Sequence, residues 1–309
     1  MEPTVTAPEL TLTLRPQATI TDSQERLVLP TLWTVQLCHP GDPNLPHVLH
    51  VILDLPAYDC ADAVAGIHYN TANDACRIVS GNRPGVLLPT LLSPSQFQHR
   101  ETAAAPLILT EPRYYFYPLD WSEADLQYPV CPTFDHWRFN HEAFHPPSPR
   151  AMPHWLSTQP QPNNTSEVPP SAVAQKVQAC DAACRLSGFR EACESAHIIP
   201  REKTDWFVRN SMGIFSNNRE VSATNSTADV RNLVSMRRDL HRSFDDREFV
   251  FLPKGEPGED FRIHLLRPTH DFGPLFHKRA VSGLTDDVAR AFLYARFAWA
   301  IFPRLWRFV

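Results

Sequence analysis

Alternating apolar and polar positions open the chain. "ELTLTLRP" (residues 9–16) and "HVLHVILDLP" (residues 47–56) both predict half-buried strands. Between them and the next alternating stretch, "YDCADAVAGIHYNTANDACRIVS" (residues 58–80) reads as helical, with Val64, Ile67, Ala75 and Ile78 among its apolar positions. "PLILTEPRYYFYPLDW" (residues 106–121) returns to strand, and Pro112 forces a break or an edge position there. Further on, "SAHII" (residues 195–199) is short and β-compatible and is closed by Pro200. "DWFVRNSMGIFS" (residues 205–216) reads as helix and "NREVSATNSTADVR" (residues 218–231) as a turn-rich loop. "NLVSM" predicts a second strand, followed by a helix from about Arg237 whose apolar face holds Leu240 and Phe244. "EFVFLPKGEPGED" is a strand ending in a Pro/Gly turn. The last helix starts near Asp286, with Thr285 as its cap, and is apolar over most of its surface, so Phe292, Phe297, Trp299 and Phe302 belong to a core.

Composition divides this series. Thirty prolines in 309 residues are about twice the usual share. Many fall in "HPPSPRAMPHWLSTQPQPNNTSEVPPS", a stretch too polar to order itself by burial. The expected layout is an α+β chain: a mixed domain over residues 1–145, a Pro/Ser-rich linker over 146–171, and a second domain over 172–309. With 43% hydrophobic and 20% charged residues, each part can build a core. A net charge of −5 confines any nucleic-acid surface to a local patch. No basic stretch followed by an apolar run marks a signal peptide, and arginines interrupt the C-terminal apolar segment, so no membrane span is expected. Seven cysteines without secretory context read as reduced thiols of an intracellular protein, nuclear or cytoplasmic.

The second domain carries the candidate chemistry. His197 falls on a strand, Asn232 at the start of the next, and His241 and Asp245 one turn apart on the helix after it. In that order, "AHIIP … NLVSMRRDLHRSFD … FVFLPK" resembles the HNH nucleases, in the version found as a domain in many fungal proteins. The resemblance covers roughly Cys184 to Lys254 and implies a ββα-metal motif. It implies that His197 is a general base, that Asn232 orients it, and that His241 and Asp245 bind a divalent metal. An activated water needs a neutral imidazole to take its proton, and the phosphoryl charge needs a cation. One nitrogen and one oxygen ligand suit Mg²⁺ or Mn²⁺, with Zn²⁺ also compatible. Arg237, Arg238, Arg242 and Lys254 would hold flanking phosphates of DNA or RNA. Better-known HNH nucleases carry a further ligand just before the base, where this chain has Ala196; Glu194 is a nearby acid that would have to reach in.

Two other readings stand beside this one. A non-catalytic module that keeps the fold to bind nucleic acid or protein agrees with Ala196 and the acidic charge. A Cys₃His zinc site from Cys180, Cys184, Cys193 and His197 is conceivable by spacing, although it lacks a tight C-x-x-C pair. Taken separately, His241 and Asp245 make an ordinary surface pair, His197 a satisfied core histidine, and the arginines a solvated helix face.

Overall fold

The computed structural model describes residues 12, 14–17, 33–41, 50–60, 64–101, 104–144, 155, 181, 183–217, 227–254, 261–281, 283–284 and 288–305. Cys180, Thr285, half of residues 9–16 and the Pro-rich stretch apart from Trp155 lie outside them. In chain order, β1 (Thr34–His39) and β2 (His50–Pro56) form an antiparallel pair. Then come β3 (Ile67–His68), α1 (Tyr69–Val79), β4 (Gly85–Leu88), α2 (Pro94–Gln98), β5 (Ile108–Leu109) and β6 (Arg113–Pro118). The second half contributes β7 (Cys193–His197), α3 (Thr204–Arg209), β8 (Leu233–Arg237), α4 (Arg238–Asp245) and β9 (Phe249–Pro253). It ends with β10 (Phe261–Leu265), α5 (Phe272–Phe276), β11 (Ala280–Val281) and α6 (Arg290–Ile301). The fold is α+β.

The first sheet has strand order β2-β1-β6-β4, with β1 and β6 parallel and the outer pairings antiparallel. β9, β10 and β11 form a three-stranded antiparallel sheet, and β7 pairs antiparallel with β8. Pro112 separates β5 from β6, the break its missing N–H demands. Ser93 and Gln96 close a reciprocal capping box on α2, with Pro94 at the first helical position.

The helix read over residues 58–80 begins only at Tyr69. Tyr58 bridges to Gly66, and the His68 N–H donates to Asp59 Oδ2 (2.8 Å), so the chain before α1 folds back on itself. A methyl group at Gly66 would overlap Cys60 Sγ and Ile108, which explains the glycine there.

α6 organises the interior. Every residue from Ala291 to Ile301 is buried, and the helix packs on β9 and on α1. A helix apolar on all sides belongs inside a core, as its pattern predicts. Residues from both halves join one hydrophobic cluster, from Val35 and Leu37 to Phe297 and Phe302. The Trp137 and Trp206 rings stack at 5.5 Å, and Trp206 Nε1 donates to the Trp137 carbonyl. Trp155, from the Pro-rich stretch, is buried; its indole donates to Asp74 Oδ2 (2.8 Å) and it packs on Tyr294 and Phe297. Among the described residues no helix is long and apolar enough to cross a membrane.

Candidate functional site

The antiparallel β7–β8 pair sets His197 opposite Leu233, and α4 follows β8 without a gap. Leu240 and Phe244 are the buried residues of α4, which lies against β7, β8 and β9. Anchored by them, the same helix presents His241 and Asp245 to a cleft of about 610 Å³. Ser195, His197, Pro200, Arg201, Glu202, Arg247 and Trp299 complete its lining.

Asn232 is fully buried beside the exit of β7. Its Oδ1 accepts from the Ile199 N–H (2.8 Å), and its Nδ2 donates to the carbonyls of Ile199 (3.0 Å) and Thr227 (2.9 Å). The amide thus fastens the chain two residues beyond His197 to the loop before β8, with every bond made to backbone. Arg296 of α6 adds a second tie. Its guanidinium donates to the carbonyls of Ile198 (3.2 Å) and Phe244 and lies over the rings of Phe244 and Trp299.

His197 Nε2 accepts from Arg201 Nε (3.1 Å). Burial, then the neighbouring Arg201 and His241, pull its pKa down to about 4, so the imidazole is neutral at pH 7. On the helix, His241 Nδ1 lies 3.1 Å from Glu194 Oε2, and Nε2 lies 3.3 Å from Asp245 Oδ2. With its proton on Nδ1 toward Glu194, the ring turns a lone pair at Nε2 toward another acceptor. That juxtaposition calls for a cation or a proton between them. Glu194 is itself held by Arg238, first, and by His241, and both keep its pKa below the usual carboxylate range.

The predicted residues therefore separate. His197, His241 and Asp245 line one cleft, and Asn232 sits beneath it. The arginines do not line that cleft: Arg237 pairs with Asp239, Arg238 with Glu194 and Arg242 with Asp246. Lys254 requires correction. It is buried and bonded to Asp59, with Nζ 2.7 Å from His264 Nδ1, so no phosphate can reach it. Ala196 belongs to the hydrophobic cluster and not to the lining of the cleft. Sequence reasoning missed Arg201, Glu202, Arg247, Arg296 and Trp299, which reach the site from three separate segments.

Two metal arrangements can be tested against these side chains. Among the described residues, the one His/Cys/Asp/Glu group with ligand atoms within 4.8 Å of one another is Asp59, His264 and His277, all buried. Apart from His264 Nε2, which has no hydrogen-bond partner among the described residues, its ligand atoms are already engaged. The Lys254 ammonium contacts Asp59 and His264; His277 Nδ1 accepts from the Leu265 N–H and Nε2 faces the Tyr58 carbonyl. A resident ammonium fills the cation position, so this cluster does not suit an added ion. The His241–Asp245 pair does suit one. An imidazole nitrogen and a carboxylate oxygen face the cleft, and a carboxylate backs the imidazole, the usual support of a metal-bound histidine. Cys184 and Cys193 are free thiols that form no such group with His197 among the described residues.

Residues 184–252 match the family model described as HNH endonuclease, and the chain carries a domain of the HNH nuclease family there. No curated protein and no solved structure matches the chain.

Proposed function

We propose that this protein hydrolyses phosphodiester bonds of nucleic acid through an HNH-type ββα-metal site in its second half. The observation that carries the proposal is the convergence of His197 with His241 and Asp245 in one cleft, within the segment of the HNH match. His241 Nε2 and Asp245 Oδ2 would hold a divalent cation, with solvent and substrate oxygens filling its other positions. When bound, such a cation supplies charge neutralisation on the phosphoryl and leaving oxygens.

The chain's own side chains account for the proton. His197 is neutral, and Nε2 is its acceptor nitrogen, engaged by Arg201. An incoming phosphate competes for the Arg201 guanidinium by forming stronger charge-assisted bonds. Released from Arg201, Nε2 can accept the proton of an attacking water. Asn232 acts on this step only by fixing the backbone that carries His197. Glu194 fixes the His241 ring with its Nε2 turned to the cleft.

A binding module without hydrolysis is the second reading. It is favoured by Ala196, which leaves two protein ligands where better-known relatives offer three. The test uses the full chain with plasmid DNA and with structured RNA, in Mg²⁺, Mn²⁺ and EDTA. Cleavage that EDTA stops, and that His197→Ala lowers by about a hundredfold or more without changing the circular dichroism, is the expected result. Cleavage by His197→Ala at the normal rate would remove His197 from the mechanism. Binding of nucleic acid without cleavage under every metal would establish the second reading.

A further inference from the structure

α4 ends in a Schellman motif. The Arg247 N–H donates to the Phe244 carbonyl (2.9 Å) and the Glu248 N–H to that of Ser243 (3.0 Å), with Arg247 at φ 60°. The left-handed position of such a motif is ordinarily glycine's, because a side chain there crowds its own backbone. An arginine in this place departs from what helix termination requires. Its guanidinium lies 3.7 Å over the Trp299 ring, and both residues line the cleft of His197, His241 and Asp245. Arg247 Nε is buried with no hydrogen-bond partner among the described residues. Arg237, Arg238 and Arg242 differ in kind, since each is already paired with a carboxylate.

From this placement we infer that Arg247, propped on Trp299, is the phosphate-binding group of the cleft, taking a backbone phosphate of the nucleic acid beside the bond to be broken. A planar guanidinium fixed by stacking can offer its two terminal NH₂ groups, rather than the buried Nε, to the oxygens of one phosphate, and being held in place it loses little freedom on binding. Charge agrees. Arg201 and Arg247 balance Asp245 and Glu202, so the cleft does not repel a polyanion even with no cation bound. The inference rests on the phosphodiester reading of the cleft, but it is tested without turnover.

The test is Arg247→Gly in the full chain, since glycine suits the left-handed backbone and removes only the side chain. Inorganic phosphate is titrated by calorimetry, and a fluorescein-labelled duplex oligonucleotide by anisotropy, both in EDTA. Arg247→Gly is expected to melt within about 5 °C of the parent. It should bind both probes roughly tenfold more weakly, with the salt dependence of oligonucleotide binding reduced by about one counterion. Arg247→Lys, which retains the charge but loses the fork, should fall between them. Unchanged binding by a folded Arg247→Gly protein would overturn the inference, and so would a loss seen only with Arg242→Gln. If the parent cleaves nucleic acid in Mn²⁺ while Arg247→Gly binds normally, the subsite fails and the hydrolysis reading stands. Loss of both probes in Arg247→Gly, with no cleavage by the parent, leaves the subsite and removes hydrolysis.

Discussion

His197 shows what a residue gains from its surroundings. A free histidine is half protonated near pH 6.5, but burial beside Arg201 and His241 lowers this one to about 4. Between those values the unfolded chain binds the proton and the folded chain does not. The contribution of His197 to stability is therefore full above about pH 6.5 and is lost as the pH falls toward 4. Above pH 5 the ring stays neutral, as a proton acceptor requires. Titration of the His197 ring by NMR is expected to give a midpoint near 4, and Arg201→Gln should raise it, because a neighbouring positive charge is removed. A midpoint near 6.5 in the parent would contradict both the burial and the charge argument. Of the residues proposed from the sequence, His197, His241 and Asp245 line one cleft, while the Asn232 amide binds the backbone of Ile199 and Thr227. What the sequence could not show is that Arg237, Arg238 and Arg242, offered for flanking phosphates, lie outside the cleft lining and pair with Asp239, Glu194 and Asp246, because those carboxylates are visible in the chain without their geometry.

On the strand, alternation separates neighbours. Ser195 and His197 line the cleft, and Ala196 between them is buried in the hydrophobic cluster. A carboxylate at 196 would thus enter an apolar interior and would not reach His241 and Asp245. Ala196→Asp is expected to cost about 3 kcal/mol or more in chemical denaturation. It should leave the calorimetric affinity for Mn²⁺ unchanged. Tighter Mn²⁺ binding by a folded Ala196→Asp protein would show that the strand can turn this position to the metal. Glu194, the other acid near the base, serves instead as the partner of His241. Helix α4 was legible in advance because Leu240 and Phe244 fix its buried face and His241 and Asp245 follow at one-turn spacing. Its end was legible only in part: Arg247 in a glycine position becomes informative once φ is known.

For the molecule as a whole, the Pro-rich stretch marks a change in composition, yet the described residues on either side of it share one core. Leu53 bridges to Leu305, Arg15 to Arg279, and Asp59 holds Lys254 across the two halves. The proposed boundaries at 145 and 172 are therefore boundaries of sequence that the packing crosses. Limited proteolysis is expected to cut first between Pro146 and Ser171, where composition is least able to form a core, sparing the bonds nearest the buried Trp155. The two fragments should then co-elute in gel filtration, because separating them would expose Trp137, Trp206 and α6 to water. Fragments that separate under native conditions would mean that the shared core contributes little to stability.

By itself the sequence determined the α+β class, the strand–strand–helix order around the site, the buried character of α6 and the histidines and aspartate that meet. These follow from spacing over a few residues, where the strand period of two and the helix period of 3.6 decide which side chains share a face. It also determined the HNH resemblance, which depends on order and spacing within one segment. Only the tertiary structure decided that Lys254 spends its charge on Asp59, that Glu194 backs His241, and that Arg247 and Trp299 complete the cleft. A long-range partner leaves no periodic mark in the chain. Which cation meets which carboxylate is settled by packing between segments far apart in sequence, and the desolvation of each buried charge then permits few alternatives.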